Sequence, residues 1–131
     1  MSINTVVLDS DGLSAWIAQD RKVTAMIKVF HRRGAELVVG ANTVVEVMHA
    51  RVSLNRLDRL LSRTRVETAT EESAKAAARL LKATGLHGQK YAVDATVAEM
   101  ALRQPGPVMM VTSDLDDMAR LCGGRIRLLS V

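Results

Sequence analysis

The feature that most constrains this chain is an alternation. Short apolar segments recur along it, and nearly every one is followed by helix-forming sequence. Ile3 to Leu8, Glu36 to Val39, Val66 to Ala69, Val108 to Thr112 and Ile126 to Leu129 read as strands. Between them, helices are predicted over Leu13–Ala18, Arg21–Arg33, Thr43 to about Arg51, Leu54–Arg63, Glu71–Thr84, Tyr91–Arg103 and Leu115–Leu121. Gly34 and Gly85 stop two of these helices, and Pro105-Gly106-Pro107 breaks a third. The alternation predicts one α/β domain over residues 1–131, with a central, mostly parallel sheet of about four to five strands flanked by helices. Ligands of such sheets bind beyond the carboxyl ends of the strands, so the residues there need the closest reading.

A chain of 131 residues buries enough surface to fold without disulfides or a structural metal. Cys122 is the single cysteine, and no CxxC, HxxxH or HExxH spacing occurs, which excludes a thiolate or histidine zinc site. No apolar run exceeds four residues and no secretory signal is read, so a cytoplasmic protein with no membrane contact is expected. The net charge is +4, and thirteen of the eighteen basic residues are arginine, which suits phosphate contacts. The only aromatics are Trp16, Phe30 and Tyr91, too few for a base-stacking module.

Half of the fourteen acids fall where a strand or loop delivers a helix start. Asp9 and Asp11 follow the first strand, Glu46 lies in the helix after the second, and Asp114, Asp116 and Asp117 follow the fourth. Asp94 sits in an otherwise apolar stretch, Tyr91-Ala92-Val93-Asp94-Ala95, at a predicted helix start. Without these seven the balance is +11, an acidic crevice in a basic surface. Capping is the alternative for several of them: Thr43 to Glu46 fits a capping box, and Ser113 with Asp116 fits one more loosely.

Carboxylates about 5 Å apart repel by roughly 3 kcal/mol per pair at an effective dielectric of about 20. Several such pairs would exhaust a domain's stability unless protons or a cation were held there. Oxygen ligands without His or Cys favour Mg²⁺ or Mn²⁺, and a hard cation beside a phosphate-attracting surface suggests phosphodiester hydrolysis.

The segments Val6-Val7-Leu8-Asp9-Ser10, Thr43-Val44-Val45-Glu46-Val47, Tyr91-Ala92-Val93-Asp94-Ala95-Thr96 and Val111-Thr112-Ser113-Asp114-Leu115-Asp116-Asp117-Met118 occur in the order of a PIN domain. Over essentially its whole length the chain resembles the VapC toxins of bacterial VapBC toxin–antitoxin modules. The resemblance implies a Mg²⁺- or Mn²⁺-dependent ribonuclease acting on RNA, often a homodimer, restrained by a cognate VapB-like antitoxin. It places Asp9, Glu46, Asp94, Asp114 and Asp116 in the catalytic set, with Asp9, Asp94 and Asp114 on the metal. Thr112 or Ser113 matches a supporting polar residue, and Ser10, Asp11 and Asp117 are further supporting candidates. Asp11 departs from the pattern, which usually has a small or apolar residue there, and Asp116-Asp117 offers two acids for one role.

Two other readings stand beside this one. Val7-Leu8-Asp9-Ser10-Asp11-Gly12 also resembles the motif of haloacid-dehalogenase-like phosphatases, with Asp9 as nucleophile, Asp11 as acid/base and Lys90 as the phosphate lysine. A PIN-like module that binds RNA or a partner without catalysis is the third. Arg51, Arg56, Arg59, Arg63 and Arg65, offset only by Asp58, are the candidates for RNA backbone contacts. Trp16, Ile17 and Met26 are candidates to line an apolar groove for the antitoxin.

Overall fold

Two runs of aliphatic residues form strands that solvent does not reach: β1 (Thr5–Leu8) and β4 (Val108–Thr112), each buried along its whole length. Strands apolar on both faces belong in the middle of a parallel sheet. In the computed structural model, which describes residues 2–131, these two pair with each other. The sheet extends through β2 (Glu36–Gly40) to β3 (Arg65–Glu67) on one side and to β5 (Arg127–Ser130) on the other. All its pairings are parallel, in the order β3-β2-β1-β4-β5. The expected single α/β domain is thus found, with seven helices around five strands among the described residues.

Alternate strand residues feed two cores. Val6, Leu8, Leu37, Val39 and Met109 face α1 (Ser10–Ile17) and α2 (Arg21–Arg32), packing against Leu13, Trp16, Val23 and Ile27. Val7, Val38 and Met110 face the opposite layer, where α6 (Gly88–Leu102) and α7 (Leu115–Cys122) contribute Ala95, Ala98, Met118 and Leu121. The remaining helices are α3 (Ala41–Glu46), α4 (Leu54–Leu61) and α5 (Glu71–Thr84). A reciprocal Thr70–Ser73 capping box starts α5, and Gly85, at φ +72°, ends it in the left-handed conformation that glycine adopts without strain.

Several expected boundaries shift: β1 starts at Thr5, α1 opens at Ser10 instead of Leu13, α4 ends at Leu61 and β5 is Arg127–Ser130. The helix after β2 starts from Gly40 and stops at Glu46, short of Arg51. Beyond it His49 Nδ1 accepts the Arg51 N–H at 3.2 Å, a local side-chain bond that competes with helix continuation. α6 begins at Gly88, not Tyr91, and β3 is Arg65–Glu67 instead of Val66–Ala69. Arg65 anchors that strand's start by pairing with Glu36 at 2.5 Å and with Glu67.

Candidate active site

β1 ends at Leu8, and Asp9 caps α1 directly, its Oδ1 accepting the Gly12 N–H at 3.0 Å. Gly12 makes this tight entry possible: a Cβ there would lie 2.5 Å from the Val111 carbonyl oxygen, so α1 rests on the end of β4. Asp9 is consequently only 3% exposed. Thr112 Oγ1 accepts the Asp114 N–H at 3.0 Å, and the same hydroxyl lies close enough to Asp9 to favour its ionised form. One hydroxyl therefore lies between the acids that follow the two central strands.

Asp114 occupies the cap position of α7, yet its side chain makes no capping hydrogen bond. Asp11, in the first turn of α1, accepts a hydrogen bond from Ser113 Oγ. Asp9, Asp11 and Asp114 each present an oxygen within 4.8 Å of the others. Glu46 ends α3, and Asp94 lies almost two turns into α6. These elements meet at the carboxyl ends of β1, β2 and β4, where the strand order reverses.

The charges act on one another. Burial raises the Asp9 carboxyl to about 6, and the charges of Asp11 and Asp114 push the same way, against the bonds from Thr112 and Gly12. Asp94 is also raised to about 6, by burial first and then by Asp114, Asp9, Asp117 and Glu46. Glu46 is raised by desolvation of its carboxyl and by Asp11, and Asp114 by desolvation, Asp11 and Asp117. Six acids from four helices thus share one field, and among the described residues no ion pair neutralises any of them.

Several expected placements change. Asp94 lies outside the 4.8 Å group, and Asp11 stands within it. Of the adjacent acids, Asp117 is half-buried and acts on Asp94 and Asp114, whereas Asp116 is exposed and acts on none of these carboxyls. Neither capping box forms: Thr43 is buried in mid-helix with its hydroxyl unpartnered, and the Ser113 hydroxyl serves Asp11. Ser10 opens α1.

Two of the five arginines are held by the protein itself. Arg56 donates to the Ile17 and Trp16 carbonyls at 2.7 and 3.1 Å, closing the end of α1. Arg65 is bound to Glu36, Glu67 and Gln104. Arg51, Arg59 and Arg63 are exposed. Lys90 stands over the Tyr91 ring, 5.2 Å from its centroid. Of the groove candidates, Trp16 and Ile17 line separate recesses, and Met26 packs against the core.

A cavity of about 690 Å³ between β3, α5 and α6 is lined by none of the site acids. The carboxylates range from buried Asp9 to exposed Asp114 at the ends of the strands.

By sequence, no family model and no curated protein matches the chain. By structure, it is similar to VapBC2 from Rickettsia felis, solved bound to a DNA fragment from its promoter: TM-score 0.72, 15% identity, covering 97% of this chain and 98% of that one. It is similar also to FitAB bound to the IR36 DNA fragment, at TM-score 0.64 and 14% identity, covering 95% of this chain and 94% of that one. The chain has a PIN-like fold. In this PIN-like frame Asp9, Asp11 and Asp114 form an oxygen-only triad that could hold a metal ion. Among the described residues no helix is long and apolar enough to cross a membrane.

Proposed function

We propose that residues 1–131 form a VapC-type endoribonuclease of the cytoplasm, dependent on Mg²⁺ or Mn²⁺. The observation that carries this reading is the unneutralised carboxylate cluster at the switch point of a PIN-like fold. Its donor set fits a hard divalent cation: every donor is a carboxylate oxygen, and burial and mutual repulsion leave the group short of positive charge. Asp9 and Asp114 hold the ion from the triad, with Asp11 beside them and Asp94 facing them from α6. The bound ion would activate water and offset the charge that develops on the phosphate. Thr112 holds the backbone of Asp114 beside Asp9, and Glu46 would take the proton of the attacking water. Arg51, Arg59 and Arg63, all exposed, would meet the RNA backbone on this reading.

Attack by water leaves a 5′-phosphate and a 3′-hydroxyl. Incubation of cellular RNA with the purified chain and Mn²⁺, followed by mapping of the ends, should show these products and their loss in EDTA. Cyclic 2′,3′-phosphate ends or full activity in EDTA would overturn the mechanism. Asp94→Asn keeps the side chain's shape. Supporting residues of metal sites cost roughly 10- to 100-fold when lost, so this change should cost about a hundredfold in cleavage with little change in Tm. A capping role would lower stability and spare activity.

An uncompensated acidic crevice also invites inhibition by a basic side chain from another chain, paired with the carboxylates. The partner expected on this reading is a VapB-like antitoxin, and the active particle a homodimer. Expression of the chain alone should arrest growth, and co-expression of its antitoxin should relieve the arrest through a complex that survives purification. Normal growth with abundant folded protein would end the toxin reading.

A further inference from the structure

Between α1 and the segment that joins α3 to α4 lies a cavity of about 240 Å³. Ile17, Ala18, Val47 and Val52 give it an apolar wall. Its polar groups are the hydroxyls of Ser14 and Ser53, the His49 ring and the guanidinium groups of Arg51 and Arg56. Among the described residues no carboxylate and no carboxamide lines it. The groups fixed there present protons. His49 Nδ1 accepts the Arg51 N–H at 3.2 Å, which leaves Nε2 to carry the ring's hydrogen. Ser53 Oγ accepts the Arg56 N–H at 3.2 Å, which turns its own hydrogen away from that bond. Arg56 is locked by the Ile17 and Trp16 carbonyls at 2.7 and 3.1 Å, whereas Arg51 is exposed and forms no ion pair among the described residues. An apolar slot edged by donors and free of anions fits a flat ligand whose rim carries acceptors.

The cavity adjoins the acid cluster through two elements. On α1, Ser14 stands one turn beyond Asp11, about 4.5 Å along the axis and on the same side of the helix. On the other wall, Val47 follows Glu46 directly. We propose that the cavity seats a guanine base of the RNA strand, one nucleotide from the phosphate at the acid cluster, with Arg51 reading its O6 and N7 in place of a backbone phosphate. The inference rests on the nuclease reading above and names the sequence preference of that site. The size argues for a single base, because about 240 Å³ is less than the roughly 300–1,000 Å³ of a site for a whole small ligand. The edge argues for guanine. Guanine sets two acceptors side by side, the pattern that an arginine fork matches. Adenine is matched by Asn or Gln and the cytosine amino group by Asp or Glu, none of which lines the cavity among the described residues. Uracil sets a donor between its two carbonyls, and a pyrimidine leaves more of the slot empty. With no Phe, Tyr or Trp at the cavity among the described residues, the base is held by this edge and by aliphatic contacts.

Fluorescence anisotropy of the labelled pentaribonucleotides UUGUU, UUAUU, UUCUU and UUUUU on the full chain in EDTA tests this without cleavage. UUGUU should bind about tenfold tighter than the others. Arg51→Gln and Arg51→Lys both change an exposed side chain, so Tm should hold while the preference disappears, lysine keeping the charge but not the fork. Equal Kd for the four strands would overturn the proposal. So would a loss of affinity in Arg51→Gln that is the same for all four and is restored in Arg51→Lys, because Arg51 would then be a backbone contact. A change of sedimentation in Arg51→Gln with the preference intact would also overturn it, since the cavity would then belong to a contact between copies. In Mn²⁺ the cuts should fall next to a guanosine. A guanine preference in binding with no cleavage would count against the nuclease reading alone, and cleavage with no guanosine at the cut sites against this inference alone.

Discussion

Ser113 donates a hydrogen bond to Asp11 across 102 positions of sequence, tying the loop after β4 to the first turn of α1. The contact holds Asp11 where its oxygen comes within 4.8 Å of those of Asp9 and Asp114. Asp11 is thus placed to contribute to cation binding, although it occupies a position where the PIN pattern has a small or apolar residue. Asp11→Asn should weaken Mn²⁺ binding by about tenfold, or ~1.4 kcal/mol, when measured by calorimetry or electron paramagnetic resonance. Ser113→Ala should produce a smaller loss that Ser113→Thr restores, and Asp116→Asn should change nothing. Equal effects of the Asp11 and Asp116 changes would mean that the triad is only a surface cluster.

The raised carboxyls set a pH dependence of stability. Asp9 releases its proton at 3.8 in an ordinary setting and at about 6 in the fold. Between these values the folded state keeps a proton that the unfolded chain has lost, so stability falls as pH rises through the window. The penalty is absent below 3.8, complete above about 6, and for Asp9 amounts to about 3 kcal/mol. Asp94 adds to it in the same direction. In EDTA the Tm should therefore be higher at pH 5 than at pH 7.5, and Asp9→Asn should remove much of the difference. Mn²⁺ should raise the Tm more at pH 7.5 than at pH 5, since only the ionised acids bind it. A metal-free Tm that rises over this interval would contradict the account.

Arg65 illustrates a cation whose role lies within the fold. It joins Glu36 on β2, Glu67 on β3 and Gln104 beyond α6, and Arg103 extends the set to Glu99. Arg65→Ala should lower stability by about 1 kcal/mol, the upper range for partly exposed pairs, and leave RNA affinity and its salt dependence unchanged. A reduced salt slope of RNA binding would return Arg65 to the nucleic-acid surface.

The strands were legible in the sequence because a buried parallel strand needs an apolar run, and Val6-Val7-Leu8 and Val108-Met109-Met110-Val111 are such runs. Asp9 and Asp114 followed from them, since Asp9 comes directly after a strand and Asp114 follows one after a single intervening residue. Helix ends were less legible. Thr43 to Glu46 has capping-box spacing, but α3 starts at Gly40 and places Thr43 inside. Asp94 read as a first-turn acid because nothing in Gly88-Gln89-Lys90 announces a helix start. The choice between Asp116 and Asp117 depends on how α7 is rotated over the crevice, which adjacent identical residues do not encode. The Ser113–Asp11 bond and the Arg65 pairs join distant segments, so no local pattern carries them.

Gly12 was part of a motif in the sequence, and the structure supplies its reason. Its hydrogen faces the Val111 carbonyl oxygen, where a Cβ would approach to 2.5 Å of a backbone atom at the end of the central strand β4. Neither side yields easily, because Val111 is fully buried and α1 is fixed through the Asp9 cap. Gly12→Ala must push α1 away from β4, and overpacking of this kind costs about 1–3 kcal/mol. The same displacement lengthens the Gly12 N–H to Asp9 bond and shifts Asp9 and Asp11 relative to Asp114, so Mn²⁺ affinity should fall with stability. Gly85→Ala provides the contrast: it strains a left-handed helix end with no atom within 4 Å, and should reduce Tm while leaving Mn²⁺ affinity intact. Loss of stability without loss of metal binding in Gly12→Ala would show that the close approach of α1 to β4 serves packing alone.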